Sequence, residues 1–153
     1  MLGTVPPMEH GFELWTPLDG TEEEGYALLG ALSTYAQWNH LIPVAHGTLS
    51  PGERLALRLR GFPGVFRPTV VSCDPPRGLV MEASIVHRSL VHMTHSFTFI
   101  RDGAGSLALH QRWIARGALV GLLWSGLTRT MKRFEEVGTD LDRAVVARRR
   151  GAP

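Results

Sequence analysis

The sequence predicts a single α+β domain. A curved seven-stranded antiparallel sheet is expected to wrap around one long C-terminal helix, with two short helices after the first strand. Three observations predict it. Between Gly117 and Arg150 apolar residues recur three or four apart, at Leu119, Leu123, Leu127, Met131, Phe134, Leu141 and Val145, with a break near Gly138. This spacing draws one stripe along a helix. The middle of the chain alternates apolar and polar, most clearly in Arg54–Arg60, where Leu55, Leu57 and Leu59 oppose Arg54, Arg58 and Arg60. Turn signals at 50–53, 61–64, 74–78 and 101–105 divide that middle into short strands. A helix that long needs a broad surface to bury its stripe, and the strands supply one.

Residues 1–9 are expected to be a lead-in, with Pro6–Pro7 blocking regular structure. The domain is expected over 10–148, and 149–153 as a tail whose arginines suit a helix C-terminus. His10–Pro17 reads as a first strand, partly covered on both faces because Phe12, Leu14 and Trp15 are all apolar. Asp19 or Thr21 can cap the next helix, with Glu22, Glu23 and Glu24 in its favourable first turn. Consecutive helical residues point apart, so these glutamates do not share a metal. Ser33 is placed as the cap of a second short helix that runs to Trp38 and ends before Pro43. Strands then follow over 44–49, 54–60, 65–73, 79–86, 90–100 and 106–116, and Pro68 calls for an edge or a bulge. Gly121, Ser125 and Gly126 make 117–127 the looser half of the C-terminal helix, a movable wall, with 131–145 as its anchor.

Composition excludes several functions. Of 153 residues 44% are hydrophobic and 20% charged, and no apolar run reaches the ~20 residues of a membrane span. The net charge is +2; arginine supplies all but one of the sixteen basic residues, and only 148–150 is a dense cluster, so nucleic acid is not an expected partner. The start lacks a signal-peptide pattern, and one cysteine, Cys73, fits a reducing cytoplasm. A homodimer is left open. No Gly-rich phosphate loop, G-x-S-x-G elbow or inward carboxylate pair occurs, and no cofactor is expected. No metal is expected either, because His92 and His110 alternate outward from His95 and Cys73 has no partner at ligand spacing.

Several segments, taken in order, resemble the START/Bet v 1-like (SRPBCC) superfamily, in its polyketide cyclase/dehydrase-like group. Tyr35–Pro43 resembles the family's aromatic-x-x-Trp-x-x-x-x-Pro segment. Phe66–Val70 and Pro75–Met81 resemble its paired strands, with Met81 where Trp is frequent. His95–Phe99 resembles its His-x-Phe strand, and Gln111–Gly117 the strand that runs into the last helix. The resemblance covers about residues 10–148 and implies the helix-grip fold, with a cavity between sheet and helix.

Alternation says what would line such a cavity. The expected ligand-binding set is Trp38 and His40 at the mouth, Leu57, Phe66, Met81, Ala83, Met93, His95, Phe97, Gln111 and Trp113 from the strands, and Leu123 and Leu127 from the helix. Sequence leaves open whether these residues enclose a space or fill it. His95 is the polar member with chemistry near neutral pH, and Gln111 on the neighbouring strand is its expected partner. Three functions follow: a carrier or binding protein for a hydrophobic polyketide or lipid-like molecule; a cyclase/aromatase-type enzyme with His95 as acid or base; or an interaction module that uses Trp15 or Trp124.

Overall fold

A computed structural model describes residues 9–151; residues 1–8 of the expected lead-in over 1–9 and the last two residues of the tail lie outside the described residues. The elements are β1 (Glu9–Leu18), α1 (Glu22–Gly30), a 3-10 turn (Leu32–Thr34), α2 (Tyr35–Trp38), β2 (Val44–His46), β3 (Ala56–Arg58), β4 (Thr69–Asp74), β5 (Gly78–Ile85), β6 (Val91–Arg101), β7 (Leu107–Arg116), α3 (Val120–Lys132) and α4 (Glu135–Arg149). Strand β1 takes in Glu9 and α4 runs to Arg149, one residue beyond the expected domain at each end.

The sheet is not seven-stranded. Five strands pair antiparallel in the order β1-β7-β6-β5-β4, and β2 and β3 form a separate two-stranded ribbon. The chain between the two sheets explains the split. Residues 59–68 hold Gly61, Pro63, Gly64 and Pro68, and a proline has no N–H to give a ladder. Isolated bridges, Leu57 to Phe66 and Arg54 to Thr69, with backbone hydrogen bonds from Leu55 to Pro68 and between 52–53 and Val70, tie the ribbon and the chain before it to β4 and its approach. Pro68 sits just before edge strand β4, whose register shifts between Val70 and Ser72, as an edge proline predicts. The outer end of β5 is left open: its ladder with β4 runs only as far as Glu82–Thr69, and Ala83, Ser84 and Ile85 pair on the β6 side alone.

The other strands alternate as expected. Val91, His95, Phe97 and Phe99 of β6 and Leu107, Leu109, Gln111, Trp113 and Ala115 of β7 are buried on the concave face. On β1 the alternation is cleaner than expected. Phe12 and Leu14 pack on the core, while Trp15 is 55% exposed outside and stacks on His110 at 4.0 Å. One face is covered, not both.

Thr21, not Asp19, caps α1. Its hydroxyl accepts from the Glu24 amide and the Glu24 carboxylate accepts from the Thr21 amide, a reciprocal capping box. Arg149 at the end of α4 donates to both Glu24 oxygens, at 2.7 and 2.8 Å, and holds that carboxyl down at about 2. Ser33 caps nothing; Thr34 bonds back to the Ala31 carbonyl as the 3-10 turn leads into α2.

The C-terminal arm is two helices, broken at Arg133–Phe134 rather than near Gly138. Gly117 hands β7 over to α3 at φ 137°, and a Cβ there would lie 2.2 Å from the Leu90 carbonyl oxygen. No other residue fits that turn. Gly138 has a different task. It is buried in α4, where a Cβ would lie 2.3 Å from Thr16 Oγ1, so glycine lets α4 lie close on β1. No helix among the described residues is long and apolar enough to cross a membrane.

Candidate functional site

Helix α3 packs on β1 and β7 through Val120 and Trp124, and its later turns run over the concave face. Beneath it lies an apolar cavity of about 330 Å³. Its walls come from four places: Met81, Ala83 and Ile85 of β5; Met93, His95 and Trp113 of β6 and β7; Leu127, Thr130, Met131 and Phe134 of the helical arm; and the loop from Leu59 through Phe62, Val65 and Phe66 to Pro68. Of the expected set, Phe66, Met81, Ala83, Met93, His95, Trp113 and Leu127 are brought together here.

The remaining expected residues lie elsewhere. Leu57 and Phe97 are buried deeper, around a separate void of about 20 Å³ beneath α1 and the ribbon. Gln111 is fully buried behind His95. Leu123 is 37% exposed and faces away, because the inward face of α3 is Val120, Trp124, Leu127 and Met131. Steps of four residues drift around a helix by ~40° each, so the stripe drawn from Leu119 comes round to the sheet side only at Leu127 and Met131. Trp38 and His40 do not guard the mouth. Trp38 packs edge-on against Tyr35 at 5.0 Å, and the His40 backbone N–H and ring Nδ1 both meet Asp140 of α4 at 2.9 Å. The short helices lean on α4, whereas the cavity lies under α3.

His95 occupies the inner wall. Trp113 stacks on it at 4.0 Å, Phe97 lies at 4.2 Å, and Phe134 meets it edge-on at 5.1 Å. Its Nε2 lies 3.2 Å from Gln111 Oε1, while Gln111 Nε2 donates to the Phe134 carbonyl at 2.9 Å. This chain fixes the tautomer. The carbonyl of Phe134 can only accept, so Gln111 turns its amide nitrogen there and its oxygen to the histidine. Nε2 therefore carries the proton and donates, and Nδ1 is left as an acceptor. Burial pushes the imidazole down to about 3, against a smaller upward pull from Gln111. At neutral pH the wall holds an uncharged ring.

Sequence reasoning missed the loop at the mouth. Phe66 was expected there, but Phe62 and Val65 were not; all three are about two-fifths exposed (41% for Phe62, 42% for Val65 and 38% for Phe66), and sequence reads 61–64 as a turn and 65–73 as a strand. Three large apolar residues within five positions of a turn were the available signal. It also missed a group formed by His40, Glu136 and Asp140, whose ligand-type atoms lie within 4.8 Å of one another. These atoms are already used: Asp140 accepts from His40, and Glu136 takes both bonds from Arg60 at 3.0 Å. His92 and His110 face outward, beside Glu82 at 3.3 Å and Glu13 at 3.5 Å. The first-turn glutamates separate as expected, Glu22 to Arg101 and Glu24 to Arg149.

No family model matches the chain. No curated protein sequence matches it either. Solved structures do. A point mutant of norcoclaurine synthase from Thalictrum flavum, in complex with a transition-state analogue, superposes with a TM-score of 0.75 at 8% identity, covering 95% of this chain and 99% of that one. The di-domain ARO/CYC StfQ from the steffimycin biosynthetic pathway gives 0.70 at 16% identity; 94% of this chain covers 52% of that one, about half its length. Ara h 8.0201 gives 0.65 at 8% identity, over 92% and 99%. At these identities the likeness is one of fold, the helix-grip fold that the sequence resemblance implied.

Proposed function

We propose that this protein binds a hydrophobic small molecule, polyketide or lipid-like, in the cavity under α3, as a carrier or binding protein. One observation carries the reading: an apolar space of about 330 Å³ whose inner wall offers a single buried polar group, His95, held neutral. Apolar burial supplies affinity at roughly 25 cal/mol per Å², and the unprotonated Nδ1 offers one acceptor to orient a hydroxyl or enol of the ligand. Superposable structures support it in kind, since one was solved around a transition-state analogue and another is an ARO/CYC of a biosynthetic pathway. The reading needs no nucleic acid and no second protomer, and the free Cys73 suits a cytoplasmic protein.

The test is native mass spectrometry of protein purified from its own host. A retained small molecule, released on denaturation and lost when Ala83→Trp fills the cavity, is the expected result. Protein that emerges empty and takes up no apolar dye would overturn it.

A cyclase reading draws on the same fixed Nδ1. It is the weaker one, because an imidazole at about 3 is a poor base at neutral pH. If the chain does fold a ketone-bearing substrate, His95→Ala should abolish product formation while binding persists. Unchanged turnover in that variant would exclude His95 as the acid or base.

A further inference from the structure

The cavity opens through a gap in the sheet. Strand β5 loses its β4 partner after Glu82, because the chain before Thr69 swings away to meet β3 at the Leu57–Phe66 bridge. The gap lies between Val65–Phe66 on one side and Glu82–Ala83 on the other. These four residues line the apolar cavity on the inside. They also line a second, shallower cleft on the outside, whose further residues include Arg54, Arg67 and Arg88. The two spaces therefore share one wall.

The outer cleft differs in chemistry from the inner one. Arg54, Arg67 and Arg88 are all exposed and make no ion pair among the described residues. Arginines elsewhere on the outer sheet face do find partners: Arg112 lies beside Glu13 and Arg116 beside Glu9. The cleft's one carboxylate, Glu82, lies 3.3 Å from His92. Three arginines thus line one cleft with a single acid among them, and each carries a planar fork of donors suited to an oxyanion.

We infer that the ligand is an amphiphilic organic acid, its apolar body under α3 and its anionic group outside the gap on Arg54, Arg67 and Arg88. This rests on the proposed cavity binding and adds the charge and orientation of the bound molecule. The apolar end enters first and meets His95; the acid stays at the solvent edge, where it keeps part of its hydration.

Two dyes that differ by one group test it: 1-anilinonaphthalene-8-sulfonate and N-phenyl-1-naphthylamine, the same ring system with and without a sulfonate. Each is titrated by fluorescence into the wild type and into the triple variant Arg54→Gln/Arg67→Gln/Arg88→Gln. Displacement of the sulfonate by the neutral dye establishes that both use one cavity. The expected result is tighter binding of the sulfonate to the wild type, about tenfold loss of that affinity in the variant, and an unchanged neutral dye; tenfold is the scale of a few exposed charge pairs. The sulfonate's advantage should also shrink as salt rises. If the neutral dye binds and the sulfonate binds no tighter, or the variant keeps the wild-type ratio, the acidic group is wrong and the apolar cavity stands. Loss of both dyes in the variant alone would make the arginines structural and overturn the inference. If neither dye binds the wild type, both readings fall.

Discussion

Helices α3 and α4 follow each other in the chain, yet they relate to the sheet in different ways. Helix α4 buries Val137, Gly138, Asp140, Leu141 and Val145, and its glycine brings its backbone against Thr16. Helix α3 buries only Val120 and Met131, and leaves Leu122 80% and Leu123 37% exposed. Its apolar side packs on the sheet at Val120 and Trp124 and borders a space at Leu127 and Met131, where that of α4 faces packed side chains. The difference divides the labour: α4 holds the fold together, and α3 roofs the cavity. Phe134 stands at the joint, with its ring against His95 and its carbonyl accepting from Gln111.

Substitution should expose the contrast most sharply in α4. Leu141 is fully buried, and Leu141→Ala should cost about 2–5 kcal/mol in denaturant unfolding. A loss below 1 kcal/mol there would mean that α4 is not the anchor. Gly138→Ala comes next. Alanine favours a helix by up to ~1 kcal/mol over glycine, but the new Cβ would sit 2.8 Å from Thr16 Cβ as well as on its hydroxyl. Overpacking of this kind costs about 1–3 kcal/mol, so a net loss is expected; a gain would show that α4 can lift from β1 without penalty.

The joint itself should respond to pH. His95 is neutral in the fold down to about 3, whereas the unfolded chain's histidine takes up a proton below its ordinary value near 6.5. Between those limits the unfolded state holds the extra proton, so acid destabilises the protein. Wild-type stability should fall relative to His95→Gln by about 1.4 kcal/mol per pH unit from pH 6 to pH 4. Parallel curves for the two proteins would sink this reading. Hydrogen exchange compares the helices directly: residues 121–128 should exchange about tenfold or more faster than 137–145, and an apolar dye should narrow the gap. The reverse order would contradict the roof-and-anchor division. The smallest effect belongs to Leu123→Ala, which should change stability by no more than about 0.5 kcal/mol, as exposed positions do.

Much of this was legible in the chain. Alternation located the concave faces of β6 and β7 residue by residue, and it placed Gln111 beside His95. Gly121, Ser125 and Gly126 mark the half of the arm that buries few side chains, Val120 and Met131 in α3. The break at Arg133–Phe134 was not legible, because no proline or glycine marks it; the helix is interrupted where Phe134 is buried against His95 and its carbonyl accepts from Gln111. Gly138 misled because a glycine in a helix looks like a break, whereas here it permits close packing. The mouth was misplaced for a related reason. Trp38 and His40 look like gatekeepers in sequence, but whether a short helix borders a cavity depends on which half of the arm it leans on, a contact 100 residues away for His40 and Asp140.

The open end of β5 has a cost of its own. Ala83, Ser84 and Ile85 lack a strand neighbour on one side, and unpaired strand edges recruit strands from other molecules. The exposed stretch is only these three residues, with charged Glu82 before it and Arg88 three positions after it. Short length and flanking charge are how natural sheets keep such edges from aggregating. A wider gap would admit bulkier molecules and would also lengthen the adhesive edge. The width of this opening is thus a compromise with colloidal stability, and variants engineered to accept larger ligands by unzipping β4 from β5 should first fail by precipitation.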